Sequence, residues 1–504
     1  MRSASPYDTF TSPLATRNAS EEILRLWSAR HKFNTWRRIW LAVAEAQHEL
    51  GLPVSKEQVE ELRAVVNRPG GITDEEIRSA EKYERELRHD VMAHVHALGD
   101  SCPKAKGIIH LGMTSQDVVC NADLLVISSS AELLDAKLAR VVLAFAEVSR
   151  KHARTPTLAF THYQPAQPTT VGRRCVGWGS DLRLAKERLR QDSIPPRTRG
   201  LQGATGTQAS YLALFDGNHP KAQALNEVFR AQGPWSPVTG AGAVEFAEQG
   251  QTYPRVYDTF ILADLASVGA VLHKIATDIR LLCNRKELDE PFEDKQIGSS
   301  AMPYKRNPMR CERICGLARF VMNLVGNAYD TAATQWLERT LDDSSNRRLS
   351  LPEAFLALDG ALDLMHNVAS GLIVHEAMVK RNLMAELPFM ATENIMMACV
   401  KLGGDRQHYH ELIRQHAQAA GLRVKQEGLD NDLLDRLKND NNFWSKSRGG
   451  PLSAELNWDG VMDPMKYVGR SVEQTERFIK EVVEPLREQY KDALATLGTS
   501  GPRV

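Results

Sequence analysis

From Asp117 to about His152 the chain carries neither proline nor glycine. These residues end helices most readily, proline by removing a donor and glycine by its backbone freedom. A run of about 35 residues without either predicts one helix of about 50 Å, at 1.5 Å per residue. That exceeds the usual globular helix, and its apolar face needs equally long partners. One partner runs from about Tyr253 to Asn284, with Pro254 expected in its first turn, where a missing N–H is tolerated. Another runs from Pro308 to beyond Asn327. The face Leu262, Ala263, Leu265, Ala266, Val268, Ala270, Leu272 has the composition of core rather than of a cofactor pocket. The expectation is an elongated bundle that continues across a subunit interface in a homo-oligomer.

The rest also reads as helix. Leu24–Leu50 has helical apolar spacing and stops at Gly51-Leu52-Pro53. Ser55-Lys-Glu-Gln58 and Thr73-Asp-Glu-Glu76 are capping-box sequences. Short strands are expected only near Thr157–Tyr163. Breaks near Gly107–Thr114 and between 365 and 380 divide the chain. The expected fold is all-α, with three mostly helical domains at 1–113, 114–367 and 368–504. The tail from Gly498 reads as frayed.

Composition narrows the class. The 504 residues are 42% hydrophobic and 25% charged, as in soluble globular proteins. A formal net charge of zero argues against nucleic-acid or anionic-membrane partners. No run of eighteen apolar residues predicts a membrane span, and MRSASPYDTF lacks a signal core. Seven cysteines are scattered, and only Cys311 and Cys315 lie one helical turn apart. A reduced, cytoplasmic protein is expected.

Walker, GxGxxG, HExxH and GxSxG templates are absent. Gly203-Ala-Thr-Gly-Thr-Gln reads as a turn with a good cap, with a phosphate loop as the less favoured reading. In RHDVMAHVH, metal ligation by His89, His94 and His96 is disfavoured, because no carboxylate or cysteine completes a set. Arg88 beside His89 suits an anionic ligand better. Thr161-His162-Tyr163-Gln-Pro-Ala-Gln-Pro is fenced by two prolines, and His162 reads evenly as structural or as a general acid/base. Leu341-Asp-Asp-Ser-Ser-Asn-Arg-Arg is a turn by composition. Its functional reading is an anion clamp of Ser344 and Arg348 at i, i+4. GSSAMPYKRNP, residues 298–308, reads as a loop with Gly298 as hinge. Asn307 is its expected N-cap and Pro308 the first helical residue. Lys305 and Arg306 beside a helix N-terminus favour the ionised form of a serine there.

At these residues the chain resembles the fumarase/aspartase superfamily. GSSAMPYKRNP resembles its signature loop, and GMTSQD (112–117) and THYQPAQ (161–167) resemble its other two blocks. RHDVMAH, YKRNP and LDDSSNRR resemble the adenylosuccinate lyase branch, in its animal and fungal form. The resemblance runs from about Ser12 to about Leu486. It implies a homotetramer whose central bundle joins four copies and whose active sites each borrow residues from three subunits. It implies elimination of fumarate without metal or organic cofactor. The implied substrates are adenylosuccinate and the succinylated aminoimidazole carboxamide ribotide (SAICAR).

By the same resemblance, Ser299 is the base, His162 the general acid and Glu312 the carboxylate that orients it. His89 is a second histidine at the substrate. Lys305 and Asn307, with Thr114 and Ser115, hold the succinyl carboxylates. Arg17, Arg88, Gln251, Arg313, Arg339, Ser344 and Arg348 match nucleotide-binding positions, with Asn18, Asp90 and Thr161 beside them. The phosphate falls to Arg17, Ser344 and Arg348. The loop at 298–308 is expected to be open when empty and ordered over substrate. The chain departs from the family at Asn18, where tyrosine is common, at Cys311, where serine is common, and across 231–243. Argininosuccinate lyase is the alternative activity, disfavoured because a phosphate clamp has no use there. A non-catalytic scaffold of the same fold is the other, disfavoured because the motifs are intact.

Overall fold

The computed structural model describes residues 10–235, 243–445, 450–451 and 456–497. Residues 236–242 of the divergent segment and the tail from Gly498 lie outside them.

The helix expected over Leu24–Leu50 is two helices. Glu21–Leu26 ends at Trp27, and α1 (Ala29–Glu49) starts afresh. Ser28 causes the break. Its backbone is extended, and its Oγ accepts from the His31 N–H at 3.2 Å. Both capping boxes form, opening Lys56–Val66 and α2 (Asp74–Leu87). Arg88 closes α2 in the left-handed region, at φ 53°. His89 then caps α3 (Asp90–Ser101), its Nδ1 accepting from Met92 N–H at 3.3 Å.

α4 (Ser115–Lys151) is one unbroken helix of 37 residues, as the proline-free and glycine-free run predicts. Its C-terminus leads into an antiparallel hairpin of β1 (Pro156–Thr161) and β2 (Gln164–Thr170). α5 (Val171–Asp192), α6 (Val256–Asn284), α7 (Met309–Ala333) and α8 (Asp342–Ser370) pack with α4 into the central bundle. Leu134, Leu138, Leu265, Leu272, Ile314, Phe355 and Leu358 fill its core. Each such side chain stabilises the fold by about 1.5–3 kcal/mol relative to exposure. By length and composition α6 could cross a membrane, as could the bent pair Glu376–Met390 and Thr392–Lys401 taken together, but most of the apolar window of α6 is buried in this bundle.

Three local readings are corrected. Pro254 precedes α6 rather than entering its first turn, and Arg255 holds the cap position. LDDSSNRR is no turn but the start of α8. Asp342 and Asp343 sit there at the positive helix end, and Pro352 lies inside the helix. Asn307 does not cap α7. Pro308 occupies that position, and the buried Glu290 reaches over to accept from the Arg310 and Cys311 N–H groups, both at 3.0 Å.

Core membership does not follow chain order. Tyr211 and Phe229 pack with α1 in an N-terminal cluster. A third cluster gathers Ile395, Tyr409, Leu433 and Phe443. Leu486 and Tyr490, near the C-terminal end, return to the central bundle. There Lys186 Nζ donates to Tyr490 Oη at 2.5 Å and pairs with Asp135 at 2.9 Å.

Ion pairs fix the polarity of the bundle. Arg255–Asp343 (2.7 Å) and Arg347–Asp258 (2.7 Å) hold the start of α6 against the start of α8. Arg347–Asp123 (3.0 Å) adds the start of α4. At the other end, Arg280 reaches Cys315 at 3.6 Å, which places the end of α6 beside the start of α7. The Arg285 guanidinium lies 4.6 Å over the Phe160 ring, so the hairpin shares that end. Along α4 the two ends stand about 55 Å apart.

Candidate active site

A cavity of about 650 Å³ opens where α4, α6 and α8 begin. Its wall brings together Arg88, His89, Asp90, Ser115, Gln251, Arg339, Ser344 and Arg348. The sharp turn between α2 and α3 aims the first three inward. His89 Nδ1 accepts a backbone N–H, so its proton sits on Nε2, which faces Ser115 Oγ at 3.3 Å. Thr114 precedes Ser115, its N–H held by Asp117 Oδ2 at 2.8 Å. Arg348 pairs with Asp90 at 2.9 Å. Burial works against ionisation of Asp90, but the Val91 N–H and the Arg348 and Lys32 cations hold its pKa below the ordinary value. Gln251 is fixed by backbone and side chain, through Glu338 O and Ala204 O, both at 3.0 Å.

The glycines of the Gly203–Gln208 segment serve this positioning. A Cβ on Gly206 would stand 1.8 Å from Gln249 O, and its φ is +80°. The helix that follows spans only Ala209–Leu214.

Motif reading missed part of the wall. Lys32, Glu84, Asp123, Arg255, Asp343 and Arg347 also line the cavity. Asp343 bridges Arg255 (2.7 Å) and Arg339 (2.9 Å). Burial opposes the charge on Arg347, but Asp258, Tyr253 and Asp123 hold its pKa well above the ordinary value. LDDSSNRR contains Asp343 and Arg347 and is the one signal that could have marked them.

Most of the other expected residues lie at the far end. Ser299 is half-buried, its Oγ accepting from Met302 N–H at 3.2 Å, and Lys305 is exposed. Asn307 Nδ2 donates to Gly298 O at 2.8 Å, closing the neck of the loop. Gly298 is therefore a close-approach residue rather than a hinge: a Cβ would stand 2.1 Å from Lys305 O. Glu312 faces Arg280 at 3.9 Å. Arg313 lies in the field of Arg17, and burial first, then Arg17 and Arg310, lower its pKa. Arg17 and Asn18 lie along the middle of α8, where the Asn18 backbone crosses Gly360 and the Ser20 N–H donates to Asp359 at 2.7 Å. Within one chain, then, Arg17 does not meet Ser344 and Arg348.

Thr161 and His162 sit at the hairpin tip. His162 and Tyr163 form its two-residue turn, at φ 52° and 57°, between the paired Thr161 and Gln164. That turn favours Asn-Gly, and each L-residue held there costs about 1–2 kcal/mol. Replacing His162-Tyr163 by Asn-Gly is expected to raise unfolding free energy by about 1–2 kcal/mol in urea titration, while abolishing any turnover that needs the imidazole.

His94 and His96 serve packing. His94 stacks on Phe33 at 3.7 Å, and burial, Arg37 and Lys32 push its pKa down to about 4. His96 stacks on Tyr83 at 5.2 Å. Among the described residues no group of three or more His, Cys, Asp or Glu side chains is arranged to hold a metal.

Comparison with known proteins sharpens the class. Residues 16–323 match the family described as Lyase, and residues 388–478 match the adenylosuccinate lyase C-terminus. The fold is that of 3-carboxy-cis,cis-muconate lactonizing enzyme from Pseudomonas putida (TM-score 0.77, 23% identity, covering 94% of this chain and 98% of that one). Fold and family match together define a lyase of the fumarase/aspartase superfamily. Adenylosuccinate lyases of Schizosaccharomyces pombe and Saccharomyces cerevisiae are 47% and 46% identical, each over 97% of this chain and 98% of the relative. The chain belongs to the adenylosuccinate lyase family.

Proposed function

We propose that this chain eliminates fumarate from adenylosuccinate, giving AMP, and from SAICAR, giving the carboxamide ribotide (AICAR), in cytoplasmic purine nucleotide synthesis. The observation that carries this reading is the charge of the cavity, which holds six cations against four carboxylates. That surplus of two suits a nucleotide phosphate.

C–N cleavage needs a base for the proton beside a carboxylate, an acid for the departing nitrogen, and donors for the carbanion-like intermediate. Ser299 takes the base role and His162 the acid role. Lys305, Asn307, Thr114 and Ser115 hold the succinyl carboxylates, where negative charge builds. Glu312 orients His162, and His89 is the second imidazole. Arg17, Ser344 and Arg348 hold the phosphate, and Asn18, Arg88, Asp90, Thr161, Gln251, Arg313 and Arg339 the rest of the substrate. Because these groups occupy opposite ends of one chain, the complete site is assembled between chains of a homotetramer. We further take 1–113, 114–367 and 368–504 as its three domains.

The test is a side-by-side absorbance assay with adenylosuccinate, SAICAR and argininosuccinate. Fumarate from the first two is expected. Fumarate from argininosuccinate alone, or from none, overturns the reading.

A further inference from the structure

Lys32 is a cavity cation that no motif marks. It lies in the first turn of α1, four residues before Trp36. Helical spacing sets its ammonium 4.8 Å over the Trp36 ring and 5.6 Å over that of Phe33. Among the described residues its ammonium makes no hydrogen bond or ion pair. Its three donors therefore face the open cavity, where an acceptor on a ligand can meet them.

The neighbouring charges narrow what that ligand is. Asp343 is engaged by Arg255 and Arg339, Asp123 by Arg347, and Asp90 by Arg348. Among the described residues Lys32 and Arg88 are left as the unpaired cations of the wall, against Glu84 as its one unpaired carboxylate. Burial pushes the Lys32 pKa down, Asp123, Asp90 and Glu84 hold it up, and Arg348 adds to the downward pressure. Lys32 and Arg348 thus repel each other across the same space, and an anion between them relieves both. A compact ammonium suits a phosphate as a point charge, beside the planar fork of an arginine.

We propose that Lys32 is a further substrate-binding residue, donating to the nucleotide phosphate alongside Ser344 and Arg348. This rests on reading Ser344 and Arg348 as the phosphate clamp. The test uses the full-length protein with Lys32→Met, Lys32→Arg and Arg348→Gln. Initial rates are measured with adenylosuccinate and with its 5′-dephosphorylated nucleoside, and inhibition with AMP and with adenosine. Lys32→Met is expected to raise KM for adenylosuccinate, and Ki for AMP, roughly ten- to hundredfold. kcat stays within about twofold, and values for the nucleoside and for adenosine stay at those of the unaltered enzyme. Lys32→Arg recovers most of the loss. If Lys32→Met loses the same factor on phosphorylated and dephosphorylated ligands, the proposal is wrong. If Arg348→Gln discriminates between them and Lys32→Met does not, the clamp stands and Lys32 falls. If neither discriminates, the clamp reading itself falls and takes Lys32 with it. Lys32→Gln replaces the methionine variant should that one fail to fold.

Discussion

His162→Ala and His89→Ala proteins, each slowed about a thousandfold, are expected to regain about a quarter of the original fumarate release when unfolded and reassembled together. The reason is the length of α4. His89 bonds to Ser115 at the first residue of that helix, and His162 lies on the hairpin beyond its last. A helix of 37 residues keeps them about 55 Å apart, too far for one substrate molecule. A site holding both imidazoles must take them from different chains. In a random mixture each has an even chance of being intact, so about one site in four is whole. Each variant alone stays inactive at any concentration. A mixture no more active than the sum of its parts would mean that the two imidazoles do not serve one site.

Ser299→Ala is expected to lower kcat by about 10²–10⁴ and to leave KM within a few-fold. The loop geometry makes this a clean experiment. Its neck is tied by Asn307 to Gly298 O and by Arg310 to Pro291 O, and Glu290 secures the first turn of α7. None of these bonds uses Ser299. Removing its Oγ deletes one half-exposed bond, from Met302 N–H, worth about 1 kcal/mol. Stability therefore cannot account for a loss of several powers of ten, and thermal melting should confirm an intact fold. Ser300→Ala is the control, expected to stay within about threefold because Ser300 is exposed and outside the proposed machinery. If Ser300→Ala is the variant that collapses, the base has been assigned to the wrong serine.

The long elements were legible because their signal is local. Absence of proline and glycine announced α4, and capping boxes announced the two N-terminal helices. α8 was obscured by its polar opening and by Pro352, a residue that ends helices unless packing holds them together, as the buried Ala354, Phe355 and Leu358 do here. The start of α7 was misread because its cap is remote. Glu290 lies 20 residues before Arg310, and nothing near Asn307 points to it. The three motif blocks were readable as chemistry, and the helix expected between residues 117 and 152 already set the first two blocks far apart, but spacing along a chain does not say which copy completes a site. Lys32 left no trace in the sequence. Its neighbours Phe33 and Trp36 are what any amphipathic helix offers, and only the tertiary approach of Asp123 and Arg348 gives it a purpose.

The dimensions of α4 also restrict how this protein can change. Adding one residue within it would turn the hairpin by about 100° and advance it by about 1.5 Å. In the site proposed between chains, His162 would then face away from its partners. α5 and α8 pack along its length and would no longer match it. Substitutions along the shaft can accumulate one at a time, whereas in the proposed shared site its residue count is locked to the positions of chains it never joins covalently.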